Sequence, residues 1–200
     1  MKKAALLFAL LFAAGAPVRA QDAPQQRNRF AATEVAAERF EAGVLAVERH
    51  GQRGAPLILI PGLASGSWVW QDAIRTLRKD HVLYVVTLPG FDGRAPVAGN
   101  MLDLARDSLQ QLIGDRKLAR PVLVGHSLGG TLALAVAQQH PDLVGGVVTI
   151  DGLPVFPGTE DMKPEQRPQL ADGVMRRMAG LTPAAFASQQ QQYMRSIGVV

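Results

Sequence analysis

Gly125-His126-Ser127-Leu128-Gly129 places a serine between two glycines with one residue on either side. This G-x-S-x-G spacing is that of a nucleophile elbow, a tight strand-to-helix turn that lifts a serine hydroxyl above a sheet. In such a turn the serine backbone is strained, and the residues two before and two after it approach so closely that a β-carbon would clash. Gly130 relieves further crowding beneath the helix. In a chain with 20 glycines the string alone is weak evidence, so its flanks decide. The short apolar run 121–124 precedes it and the apolar stretch 128–140 follows, which is the strand-then-helix setting that the chemistry requires.

Placed this way, the Ser127 Oγ attacks a carbonyl, and the backbone N–H groups at the start of the next helix face the developing oxyanion. Leu128 N–H is the first expected donor. The second is expected from the loop after an earlier strand, where Pro61-Gly62-Leu63-Ala64 stands, making Leu63 N–H the candidate.

The histidine such a serine needs is harder to find. His140 is the only one downstream of Ser127, but thirteen residues along one helix is about 20 Å, so it is read as a helix end. His126 adjoins the serine on a turn where consecutive side chains diverge, and support or pocket lining is expected of it. His50 and His81 read as ordinary residues at strand ends. Asp151 closes the run 144–150 on the edge where the site belongs and is a possible acid. Asp92 reads as a turn former. Trp68 and Trp70 either wall an acyl pocket or pack a helix start.

Around these residues the pattern alternates short apolar runs with helical stretches. A half-buried strand is expected over 40–50, then strands at 57–60, 81–88, 121–124 and 144–150. Helices are expected over 68–79, from Asn100 as cap to about residue 117, and over the mostly buried 128–140. Such alternation predicts an α/β fold: a mostly parallel sheet with helices on both faces and its chemistry at the carboxyl ends of the strands. Two polar-rich helices, near 165–179 and 183–196, follow without another strand.

The segments Leu59-Ile60-Pro61-Gly62-Leu63, Leu88-Pro89-Gly90-Phe91-Asp92-Gly93 and Val124-Gly125-His126-Ser127-Leu128-Gly129-Gly130 stand in the order seen in α/β-hydrolases. Over about residues 40–151 the chain resembles their esterase and aminopeptidase-like branch. The resemblance implies a helical cap over 153–200, carrying Phe156, Met175, Met178, Leu181, Phe186 and Met194. It also implies an acid and a histidine on strands beyond the cap, and residue 200 comes before any such strand. Pro61 stands where relatives often carry histidine, which bears on support of the loop rather than on the Leu63 N–H.

The expected organisation is a signal peptide over 1–20, a loose leader over 21–37, a hydrolase core over 38–152 and the cap segment over 153–200. Lys2 and Lys3 before the apolar run 4–14, and small residues around Val18-Arg19-Ala20, are the marks of export to the periplasm or medium. The run is short for a bilayer span, so no membrane anchor is expected after cleavage. Removing the signal leaves 18 basic against 17 acidic residues, and the basic ones are scattered, which argues against a nucleic-acid partner. The chain has no cysteine, which excludes disulfides and thiolate chemistry, and no histidine pair at ligand spacing points to a metal.

The expected function is hydrolysis of an ester or related acyl bond in a small-molecule substrate, through an acyl-enzyme on Ser127 and without a cofactor. The alternative is a truncated or non-catalytic protein of the same fold that acts, if at all, by binding. A sheet ending at its last visible strand would leave an apolar edge exposed and a marginally soluble product.

Overall fold

The computed structural model describes residues 34–152, 159 and 161–196. The expected signal peptide and most of the leader lie outside them. The chain divides into two compact units, one spanning 25–154 and the other containing 155–200.

The larger unit is built on one six-stranded sheet: β1 (Glu38–Ala42), β2 (Leu45–His50), β3 (Pro56–Ile60), β4 (Val82–Thr87), β5 (Val122–His126) and β6 (Gly146–Ile150). Their spatial order is β1-β2-β4-β3-β5-β6. The last four are parallel and the first two antiparallel, so the expected mostly parallel sheet is present with an antiparallel edge. The helices are α1 (Gln71–Leu77), preceded by a 3-10 turn at Ser67–Trp70, α2 (Met101–Asp115) and α3 (Leu128–Gln139).

Alternation along the strands divides the core in two. Val47, Ile58, Ile60, Val86 and Leu123 pack with Leu109, Leu112, Leu132 and Val136 from α2 and α3. Leu57, Leu59, Leu83 and Val85 pack on the other face with Trp70 and Ile74. Burying one such aliphatic side chain stabilises by roughly 1.5–3 kcal/mol, so these two layers hold the strand ends in place. Asn100 caps α2 as expected, its Oδ1 accepting from the N–H groups of Leu102 (3.0 Å) and Asp103 (3.4 Å).

Two expectations need correction. The single strand read over 40–50 is a hairpin that turns at Gly43, which has φ 56°. A β-carbon there would collide with the Ser108 hydroxyl of α2, and that same Oγ accepts from Val44 N–H (3.0 Å). The end of the supposed loose leader is also tied down: Glu34 N–H donates to Gln71 Oε1 (2.8 Å), and its carboxylate pairs with Arg75 and Arg78.

Among the described residues β6 stands at the end of the sheet, pairing with the strand β5 alone. On it Val148 and Ile150 are 48% and 46% exposed, the apolar edge expected from the sequence.

The hairpin is held to the rest of the unit by arginine. Arg116 bonds Glu38 through both terminal nitrogens (2.8 and 3.1 Å) and lies 3.6 Å over the Phe40 ring. Arg94 grips Glu41 in the same bidentate way (2.8 and 2.9 Å). Hydrogen bonds from these guanidinium groups hold both carboxyls below the usual glutamate range. A depressed folded-state pKa contributes stability above the ordinary value of about 4.3 and loses it as the pH falls through the lowered one. Acidification below about pH 4 is therefore expected to loosen the hairpin selectively. Amide exchange in β1 and β2 is expected to accelerate before that in β5, and to lose much of its acid dependence in Glu41→Gln.

In the smaller unit a 3-10 turn at Pro164–Gln166 leads into α4 (Arg167–Ala179), followed by α5 (Pro183–Ser196). These are the two helices expected over 165–179 and 183–196. Phe156 lies outside the described residues, as do the side chains of Met175, Met178, Phe186 and Met194. Among the described residues no helix is long and apolar enough to cross a membrane.

Candidate active site

β5 ends at His126 and α3 begins at Leu128, leaving Ser127 alone at the corner. Its backbone has φ 50° and ψ −117°, a conformation that L-residues avoid and that persists only where the surroundings enforce it. Three hydrogen bonds enforce it here. Ser127 N–H donates to the carbonyl of Ile150 on β6 (2.8 Å), while its own carbonyl accepts from Gly130 N–H (2.9 Å) and Thr131 N–H (3.2 Å).

The glycines meet as the elbow requires, with one refinement. A β-carbon on Gly125 would collide with the Gly129 carbonyl and stand 2.5 Å from Gly130 N. One on Gly129 would instead strike the end of β3, meeting the Ile60 carbonyl and lying 2.6 Å from the Pro61 oxygen. A β-carbon on Gly130 would lie 3.0 Å from Gly152 Cα and 3.1 Å from Gly125 O. The start of α3 is thus seated directly on the strand that leads into the expected oxyanion loop.

That loop lies against the elbow. A β-carbon on Gly62 would be 2.8 Å from His126 Nδ1 and 3.3 Å from Ser127 Cβ. Ser65 N–H donates to Gly62 O (3.3 Å), its hydroxyl donates to Leu63 O (3.2 Å), and Ala64 takes φ 54°. Leu63 and Leu128 are half-buried, and no bond to another described residue uses their N–H groups. The imidazole of His126 packs on Gly62. No feature of the sequence alone reveals that Gly62 is reserved for this contact.

Among the described residues, no histidine and no carboxylate is hydrogen-bonded to Ser127 Oγ. Asp151 is exposed at φ 54° just beyond β6. His140 ends α3; His50 is buried at the end of β2, its Nε2 3.4 Å from Glu48; His81 faces the carbonyl of Ala55 at 3.3 Å. Trp70 belongs to the second core layer, whereas Trp68 is half-buried. Asp92 sits in the turn expected of it, at φ 49°. No group of three metal-binding side chains occurs among the described residues.

A family model described as the alpha/beta hydrolase family matches residues 57–197. The pimeloyl-[acyl-carrier protein] methyl ester esterase of Aeromonas hydrophila is 31% identical over 139 residues, covering 68% of this chain and 52% of that protein. Its counterpart in Vibrio atlanticus is 32% identical over 109 residues, covering 54% and 41%. The chain spans about half the length of the curated relatives it matches. Among solved structures, an alpha/beta hydrolase fold protein from Burkholderia ambifaria superposes with a TM-score of 0.59 at 20% identity, covering 80% of this chain and 58% of that one. A thermophilic esterase from Thermogutta terrifontis gives 0.55 at 26% identity, with coverage of 72% and 56%.

Proposed function

We propose, from the premise that this chain belongs to the alpha/beta hydrolase family, that it is a serine esterase with Ser127 as nucleophile. The strained backbone of Ser127, at φ 50° between β5 and α3, carries the reading. A simple glycine-rich turn would place a glycine, not a serine, at this positive φ.

In the proposed reaction Ser127 Oγ adds to the ester carbonyl, the oxyanion accepts hydrogen bonds from Leu63 N–H and Leu128 N–H, and the alcohol departs with a proton. Water then releases the acid from the acyl-serine. Each oxyanion donor contributes about 3 kcal/mol to the transition state. The relatives named as methyl ester esterases support a carboxylic ester as the bond cleaved, in a small molecule or at the end of a carried acyl chain. The proton of Ser127 needs a base, and no described residue is bonded to take it. The same observation favours a second reading, in which these residues form a hydrolase scaffold without activity.

Export through residues 1–20 is part of the proposal and rests on the charged, apolar and small-residue order of that segment. Labelling with a fluorophosphonate, with the adduct located by mass spectrometry, separates the two functional readings: a phosphonylated Ser127 supports the esterase, and an untouched serine in folded protein supports the scaffold.

A further inference from the structure

The second core layer takes side chains from β3 and β4 and, among the described residues, none from the hairpin. The hairpin nevertheless has a face on that side of the sheet. Register places Arg39 opposite Glu48, Glu41 opposite Ala46 and Ala46 opposite Thr87, so these residues share the face of Leu83 and Val85. Between this face and the 3-10 turn at Ser67–Trp70 lies a cleft of about 440 Å³, lined also by Ser67, Asp92 and Arg94. It stands at the carboxyl end of β4, two strands from the elbow in the order β4-β3-β5.

Most of the charge in the cleft is already matched. Arg39 donates to Glu48 (3.0 Å), and Arg94 holds Glu41 through two nitrogens. Asp92 is the exception: it is exposed, and no bond to another described residue engages its carboxylate. Two cations thus stand against three carboxylates, leaving one negative charge uncompensated. That carboxylate has a definite seat, because a β-carbon on Gly66 would collide with its Oδ2 and Cγ. It therefore lies one residue from Ser67. Ser67 and Thr87 are only 6% and 8% exposed, yet both line the cleft, and no bond to another described residue uses either hydroxyl. A buried hydroxyl without a partner costs free energy unless water or a ligand bonds it.

We propose that this cleft is a binding site for a small primary ammonium compound. Three acceptors line it, the Asp92 carboxylate and the two hydroxyl oxygens. A primary ammonium carries three N–H donors and the one positive charge that the cleft lacks. A neutral polyol leaves that charge unmatched, and an anion is repelled by it. The site is separate from the esterase reading and stands whether or not Ser127 is a nucleophile.

The test titrates the full chain, isotope-labelled, with propylammonium chloride while following the amide resonances of Ser67, Thr87 and Asp92. Saturable shifts confined to the cleft are expected in the millimolar range. Binding should weaken about ten-fold in Asp92→Asn, which keeps the shape and tolerates the backbone conformation but lacks the charge. Thr87→Val, which exchanges the hydroxyl for a methyl, should weaken it about three-fold. Tetramethylammonium chloride at the same concentration has the charge without N–H donors, and glycerol has hydroxyls without charge; neither should shift these resonances. Equal shifts with tetramethylammonium reduce the effect to ionic screening, and equal shifts with glycerol reduce it to unselective hydroxyl binding. Either result overturns the proposal, as does unchanged affinity in Asp92→Asn or the absence of saturable binding by propylammonium.

Discussion

Ser127→Ala is expected to abolish fluorophosphonate labelling and to lower ester hydrolysis by about 10⁴-fold or more. The magnitude follows from what the substitution removes. Without Oγ no acyl-enzyme forms, and only the oxyanion donors and substrate binding remain to accelerate attack by water. Such a residue leaves stability nearly untouched, because the three backbone hydrogen bonds at the corner do not involve its side chain. Loss of labelling with an unaltered melting temperature is therefore the expected pair of results. Labelling that persists in Ser127→Ala at another residue would move the nucleophile elsewhere and sink the assignment.

A second large effect is expected from one methyl group. Gly129→Ala should destabilise the larger unit by about 3 kcal/mol or more and lower its Tm by roughly 10 °C. Its β-carbon would meet backbone on the far side, the Ile60 carbonyl and the Pro61 oxygen. Neither is the end of a flexible side chain that swings away. Relief requires α3 to lift from β3, which also pulls the proposed oxyanion loop from Ser127, so labelling should fall with stability. Gly114→Ala is the matched control: it lies in α2 with nothing within 4 Å of its β-carbon. There alanine should raise stability by about 0.5–1 kcal/mol, since glycine is the poorer helix former. Thermal melts of the two variants should move in opposite directions, and a Gly129→Ala protein as stable as its parent would show that the elbow tolerates the space this packing denies it.

Ion pairs such as Glu38–Arg116 and Glu41–Arg94 join residues 78 and 53 apart in sequence, and nothing in the local pattern announces them. The same limit explains the hairpin. Alternation continues across residues 40–50, so a sequence reading sees one strand; the break at Gly43 exists because Ser108 of α2, far along the chain, occupies the space outside the turn. Local periodicity reports which side of a strand is buried, not what buries it.

The elbow was legible because its requirements are local: a strand, a strained serine and two small neighbours fall within nine residues, and each leaves its mark in residue type. By itself the sequence determined the alternating elements, the apolar β6 edge and the place of Ser127. Tertiary structure alone decided the strand order, the seating of α3 on β3, and the packing of the loop at Gly62 against His126. Those contacts join residues distant in sequence through glycines whose missing side chains matter only once a neighbour arrives to fill the space.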